Sequence, residues 1–250
     1  MEMPPPQWTH RPDGVRLAYR LRPGRADRPM LVFLPGYASD MQGSKALALD
    51  QWAAETGHGL LRLDYAGCGE SAGRFEDGTL AMWRDDARLV IEAHVPGRMV
   101  LVGSSMGGWI ALLLARDLGD RVAGLVGIAA APDFTDWGFS DAEKATLRAE
   151  GRLLRPSDYG PEPMLTTRAF WEAGEALHVL DSPLLLDCPL RLLHGQRDAD
   201  VPWELALRLA RQVRSDDVQL HLVKDGDHRL SRPQDLCLLT DVVARLMESL

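Results

Sequence analysis

The segment Val100-Leu101-Val102-Gly103-Ser104-Ser105-Met106-Gly107-Gly108-Trp109-Ile110-Ala111 restricts the fold of this chain more than any other. A short apolar run of strand type enters a Gly-x-Ser-x-Gly turn, and an apolar helical run leaves it. Such a turn strains its serine, so the flanks must be small. Gly103 and Gly107 let the strand and helix backbones close around Ser105. A helix that starts here aims free N–H groups and a positive dipole end at any oxyanion nearby. The segment therefore predicts a serine presented as a nucleophile between a strand and a helix. A phosphate-binding turn is the competing reading. It would need the lysine of a P-loop, which is missing, and Gly-x-Gly-x-x-Gly does not occur in the chain.

The chain is long enough, at 250 residues, for one α/β domain with a proper core. Its net charge of −8 and the lack of any long Lys/Arg cluster argue against a nucleic-acid partner and against binding to an anionic membrane surface. Lysine occurs only at 45, 144 and 224, which reads as the codon bias of a GC-rich genome. Cys68, Cys188 and Cys237 are too scattered for a disulfide framework, and an odd count fits a reducing compartment. The start, Met1-Glu2-Met3-Pro4-Pro5-Pro6, has neither a signal-peptide nor a transit-peptide pattern. No apolar run of about 18 residues exists, so no integral membrane association is expected. The resulting expectation is a cytoplasmic protein.

Strand and helix patterns alternate along most of the chain. Strands are expected at 15–21, 30–34, 59–64, 99–103, 122–129, 190–193 and 219–223, and helices at 46–55, 80–94, 106–118, 204–213 and 233–250. The early strand follows a turn at Arg11-Pro12-Asp13-Gly14. This alternation predicts a mostly parallel central sheet with helices on both faces, with reactive groups gathered at one edge by the loops. It stops between about Pro132 and Asp187, where helical patches at Asp141–Leu154 and Thr166–Leu177 are punctuated by Pro and Gly. The expected organisation is a core of residues 1–131 and 188–250 with a helical cap, or lid, at 132–187.

A serine hydroxyl is a poor nucleophile at neutral pH and needs a base, which in turn needs an orienting carboxylate. On a fold with this elbow the chain order is serine, acid, histidine. His10, His58 and His94 precede Ser105, and His178 lies in the insert. His194 closes an apolar strand and suits packing beneath a loop; His221 sits inside a strand. His228 lies in the polar turn Lys224-Asp225-Gly226-Asp227-His228, past the last strand, and is the expected base. The acid lies in Arg197-Asp198-Ala199-Asp200-Val201-Pro202. Asp198 is preferred, because Asp200 is placed to cap a helix beginning near Pro202. The oxyanion donors are expected to be the backbone N–H of Met106 and that of Tyr37, in Pro35-Gly36-Tyr37 after an early strand.

The Gly-rich loop Asp64–Ser71 reads as structural, since nothing pairs Cys68 with a base. The histidines lack metal-ligand spacing, and neither metal nor cofactor is expected. Trp137, Trp171 and the Phe residues of the insert suggest contacts to an apolar acyl chain or aryl group. Arg148, Arg152, Arg155 and Arg168 suit either an anionic leaving group or a solvated helix face.

These residues resemble those of the α/β-hydrolases. More narrowly, Phe33–Tyr37, Met41–Ala48, Leu63–Gly67, Gly103–Trp109, Arg191–Gly195, Val201–Trp203, Asp227–Arg229, Pro156–Tyr159 and Ser182-Pro183 resemble the family of abhydrolase domain-containing protein 10. The resemblance implies an α/β-hydrolase fold and a serine hydrolase whose triad falls on Ser105, Asp198 and His228. It implies a small-molecule or acylated-protein substrate: a palmitoyl thioester on protein cysteine, or an acyl glucuronide. The missing mitochondrial transit segment and the Arg-rich composition suggest a bacterial member, whose acyl substrate need not be the mammalian one. Two other readings stay open: a cofactor-free haloperoxidase or perhydrolase, which shares the triad, and a ligand-binding relative without turnover. A dehalogenase is disfavoured, because its elbow carries Asp where this chain has Ser105. No oligomeric state follows from the sequence.

Overall fold

In the computed structural model, which describes residues 3–157 and 160–250, the alternating pattern becomes one eight-stranded sheet. Its strands are β1 (Gln7–His10), β2 (Arg16–Arg22), β3 (Met30–Leu34), β4 (Leu60–Leu63), β5 (Met99–Ser104), β6 (Val122–Ile128), β9 (Leu190–Gly195) and β10 (Val218–Val223), in the order β1-β2-β4-β3-β5-β6-β9-β10. The β1–β2 and β2–β4 pairs are antiparallel, and every other pair is parallel. The antiparallel edge strand β1 is beyond the sequence expectation. Its four residues, mostly exposed, show no apolar run, and pairing with β2 makes it a strand.

Parallel strands buried on both faces read as continuous apolar runs, and each successive side chain goes to the opposite layer. On β3, Leu31 and Phe33 pack into one layer, Val32 and Leu34 into the other; on β5, Val100 and Val102 oppose Met99 and Leu101. Helices α1 (Ser44–Thr56) and α8 (Pro233–Glu248) cover the first face. Helices α2 (Leu80–His94), α3 (Met106–Leu118) and α7 (Glu204–Gln212) cover the second. Among the described residues no helix is long and apolar enough to cross a membrane.

Between β6 and β9 the chain carries α4 (Phe134–Trp137), α5 (Asp141–Glu150), strands β7 (Arg152–Arg155) and β8 (Met164–Thr167), and α6 (Arg168–Glu175). The expectation of a helical segment is corrected here, because β7 and β8 form a separate antiparallel pair. Gly151 ends α5 in a left-handed conformation, φ 77°, so Arg152–Arg155 cannot continue the helix. Thr167 caps α6 by accepting the Phe170 N–H at 3.1 Å, which releases Thr166 and Thr167 to the strand. Asp158 and Tyr159, part of the resemblance, lie outside the described residues. Buried Asp133 closes the base of the insert. Its two carboxylate oxygens accept the N–H groups of Val179 and Leu180, each at 2.8 Å.

Candidate active site

Ser105 sits between β5 and α3 with φ 53° and ψ −120°, a conformation that a residue with a Cβ rarely adopts. Such strain costs about 1–3 kcal/mol and persists only where the surroundings over-determine it. Here the Ser105 N–H donates to Ile128 O at 2.9 Å, and its carbonyl accepts from Gly108 at 2.9 Å and Ala131 at 3.1 Å. The glycines are required by close approach. A Cβ on Gly103 would lie 2.2 Å from Gly107 O, and one on Gly107 would lie 2.1 Å from Leu34 O. The second contact also seats the first turn of α3 against the end of β3.

The other sequence-predicted residues leave the same edge of the sheet. Tyr37 follows β3, Asp198 follows β9 and His228 follows β10, all parallel to β5. His228 Nε2 lies 3.1 Å from Ser105 Oγ, and His228 Nδ1 lies 2.8 Å from Asp198 Oδ2. The Asp198 carboxylate has no solvent exposure. Desolvation alone would raise its pKa. Hydrogen bonds from His194 and His228, the imidazole charge and the Val201 N–H outweigh that and hold it well below the usual carboxylate range. An ionised carboxylate only accepts, so the His228 Nδ1 carries a proton and Nε2 offers its lone pair to the serine hydroxyl.

Asp198 is gripped on all sides. Its Oδ1 accepts the N–H of Asp200 at 2.9 Å and of Val201 at 2.8 Å, and its Oδ2 also meets His194 Nε2 at 3.1 Å. Buried His194, placed by its strand beneath the loop, thus helps hold the acid, a contact that the sequence reading missed although the two residues are only four apart. The expected helix cap at Asp200 is corrected: α7 begins at Glu204 and its N-cap position is Trp203. Asp200 instead brings its carboxylate close to the site, where ligand atoms of Asp198, Asp200 and His228 lie within 4.8 Å of one another. Asp133, His178 and Asp181 form a second such group. In both groups carboxylate oxygens are already committed to protein donors.

Gly36 lies against the elbow, where a Cβ would stand 3.3 Å from Ser104 O and 3.4 Å from Ser105 Cβ. The next N–H, that of Tyr37, donates no backbone hydrogen bond among the described residues, and the Met106 N–H opens α3 with no acceptor one turn back. Tyr37 is more than a backbone donor. Its hydroxyl donates to Leu165 O of β8 at 2.6 Å, and its ring touches Phe75, Trp83, Phe134 and Phe170 at centroid distances of 4.8–6.1 Å. Burial pushes the hydroxyl above its ordinary range. The loop that borders Ser105 is therefore tied to the insert.

A strand–serine–helix elbow, an imidazole and a buried carboxylate thus meet at one edge of a mostly parallel sheet. Residues 29–158, more than half of the chain, match the model of the alpha/beta hydrolase fold family. The chain belongs to the α/β-hydrolases. It is 37% identical over 245 residues to human "Palmitoyl-protein thioesterase ABHD10, mitochondrial", which covers 96% of this chain and 79% of the human protein. A putative hydrolase from Agrobacterium vitis S4 superposes with a TM-score of 0.91 at 41% identity, covering 97% of this chain and 99% of that one. Mouse alpha/beta hydrolase domain-containing protein 10 also gives 0.91, at 33% identity, covering 98% and 99%. The mammalian relatives are named as mitochondrial, which gives the cytoplasmic expectation no support.

Several expected contacts are differently employed in this hydrolase. Trp171 was expected to touch substrate. It packs instead in the insert's own small core with Phe139 and Leu147, is 5% exposed, and donates through Nε1 to Thr135 O at 3.1 Å. Trp137, half-buried, donates to Pro132 O at 2.8 Å. Arg148 stacks over Trp171, Arg155 pairs with Glu143 at 2.7 Å, and Arg168 reaches Arg148 O and Glu172. These arginines hold the insert together and lend no support to an anion subsite there. Burial pushes the Cys68 thiol up to about 12, in keeping with a structural cysteine.

Proposed function

We propose that the protein is a serine hydrolase that cleaves carboxylic ester or thioester bonds through an acyl-enzyme on Ser105. His228 takes the hydroxyl proton as Ser105 attacks the carbonyl carbon. Asp198 orients the imidazole and balances the charge it acquires. The Met106 and Tyr37 N–H groups receive the developing oxyanion, a contribution worth around 10²–10³ in turnover per donor. His228 then protonates the departing alcohol or thiol, and water cleaves the acyl-enzyme by the same route. The observation that carries this reading is the unbroken chain from Asp198 through His228 to the Ser105 hydroxyl, with contacts of 2.8 and 3.1 Å.

A hydrolase of ester or thioester bonds is also what the family membership supports. A palmitoyl-type thioester is the finer reading, supported by the name of the human relative. The segment 132–187 is then the lid, with Phe134 and Phe170 packed on the ring of Tyr37 in the loop next to the elbow. Ser105→Ala should remove p-nitrophenyl ester cleavage with a loss on the order of 10⁶ in turnover. A fluorophosphonate probe should label the wild type, and neither Ser105→Ala nor His228→Ala. Retention of a tenth of the activity in Ser105→Ala would remove that residue from the mechanism.

A further inference from the structure

The Met41–Ala48 block has no part in the chemistry above, yet one of its side chains reaches the loop that carries His228. Lys45, the second residue of α1, donates from Nζ to the Arg229 carbonyl oxygen at 2.5 Å, joining positions 184 residues apart. The sheet supports the three site residues unequally. Ser105 and Asp198 follow interior strands, whereas His228 hangs from the loop between the edge strand β10 and α8. Upstream, that loop is pinned at Gly226, whose N–H donates to Val223 O at 3.0 Å and whose carbonyl accepts the Arg197 N–H at 2.8 Å. Downstream, Leu230 is buried at 3% exposure with φ +42°, its N–H on Asp227 Oδ1 at 3.0 Å. A left-handed leucine is strained and relaxes unless its neighbours hold it. Lys45 grips the peptide carbonyl between His228 and that strained residue.

We propose that Lys45 is a positioning residue for the base: its ammonium holds the Arg229 carbonyl and so keeps His228 Nε2 on the Ser105 hydroxyl. The inference rests on the serine-hydrolase reading of the site. A compact ammonium on a flexible four-carbon stem can reach and hold a single carbonyl. Lys45 is one of only three lysines in a chain otherwise supplied with arginine. Desolvation, with the Arg229 charge beside it, pulls the ammonium down to about 8; Asp227 and Asp235 act in the opposite direction. Asp235 is itself paired with Arg232 at 2.8 Å. The grip is therefore charge-assisted at neutral pH and weakens as the amine loses its proton above about pH 8.

The test uses the full chain with Lys45→Met, which keeps the stem and removes the donor. Displacing a reacting group by a fraction of an ångström to one ångström costs up to about 10² in rate. The expected result is a fall of about 10–100-fold in kcat and in the rate of fluorophosphonate labelling, with KM for p-nitrophenyl butyrate within about twofold. The wild type should lose activity above about pH 8, and this alkaline decline should be missing from the folded variant. A folded variant with kcat within twofold of wild type, or with the same alkaline decline, overturns the proposal. Should Lys45→Met fail to fold, Lys45→Ala is read the same way: a kcat within twofold of wild type overturns the grip, and a fall of about 10–100-fold with KM within about twofold supports it. A wild type that the probe does not label at Ser105 overturns the serine-hydrolase reading itself.

Discussion

Asp198→Asn changes one atom and tests the direction of every proton in the site. The Oδ1 position faces two backbone donors, Asp200 N–H at 2.9 Å and Val201 N–H at 2.8 Å, so the new amide nitrogen cannot sit there without opposing them. It must take the Oδ2 position, facing His228 Nδ1 and His194 Nε2. His194 has an alternative acceptor in Val201 O, also at 3.1 Å, and tolerates the change. His228 has none, because its other nitrogen faces Ser105 Oγ. The ring therefore moves its proton from Nδ1 to Nε2, and Nε2 can no longer accept from the serine. A wrong tautomer of this kind costs about 10⁴ in kcat, or about 5 kcal/mol of transition-state stabilisation. The packing is preserved, so the melting temperature should fall by only a few degrees. Steady-state cleavage of a p-nitrophenyl ester measures the effect, with Asp200→Asn as the companion. The companion should lose no more than about threefold, since the Nδ1 bond belongs to Asp198. A loss below tenfold in Asp198→Asn, or an equal loss in both variants, would refute the assignment of the acid.

Two further outcomes follow from groups around the site. Burial raises the Asp64 carboxyl to about 6, although it accepts the N–H groups of Met41 at 2.7 Å and Glu70 at 2.8 Å. Its folded value lies above the unfolded one, so its contribution to stability is greatest below about pH 4 and is lost as pH rises through about 6. The stability advantage of wild type over Asp64→Asn should therefore shrink between pH 4 and 7. Guanidinium midpoints at those pH values check this, and parallel profiles would contradict it. Tyr37→Phe keeps the backbone donor but removes the 2.6 Å bond to Leu165 O. It should cost about 1 kcal/mol, lower kcat several-fold and speed proteolysis near β7 and β8. Unchanged proteolysis would show that the hydroxyl does not tie the insert down.

Most of the core was legible in the sequence because its signals are local. Met30–Leu34 and Met99–Ser104 are apolar throughout, as interior parallel strands must be. The amphipathic run Leu80–His94 and the Gly-flanked start of α3 carry their own boundaries. The candidate triad was reachable because an elbow and a fixed chain order reduce seven histidines to one after the last strand. The insert was harder. Its strands β7 and β8 are four residues each, and short polar-flanked segments become strands only through a partner. Trp171 read as a substrate contact because composition reports that an aromatic is present and says nothing of which side of a small helix it lies on.

The sequence by itself determined the strand–helix alternation and the strained serine turn, since each depends on neighbours a few residues apart, and it carries the candidate serine, acid and base in the chain order that such an elbow implies. Only the tertiary structure decided which groups hold those three in place. The Tyr37 hydroxyl on Leu165 and the Lys45 ammonium on Arg229 are pairings between segments far apart in the chain. Contacts of that kind leave no periodic trace in the chain, because they depend on where loops from distant strands converge.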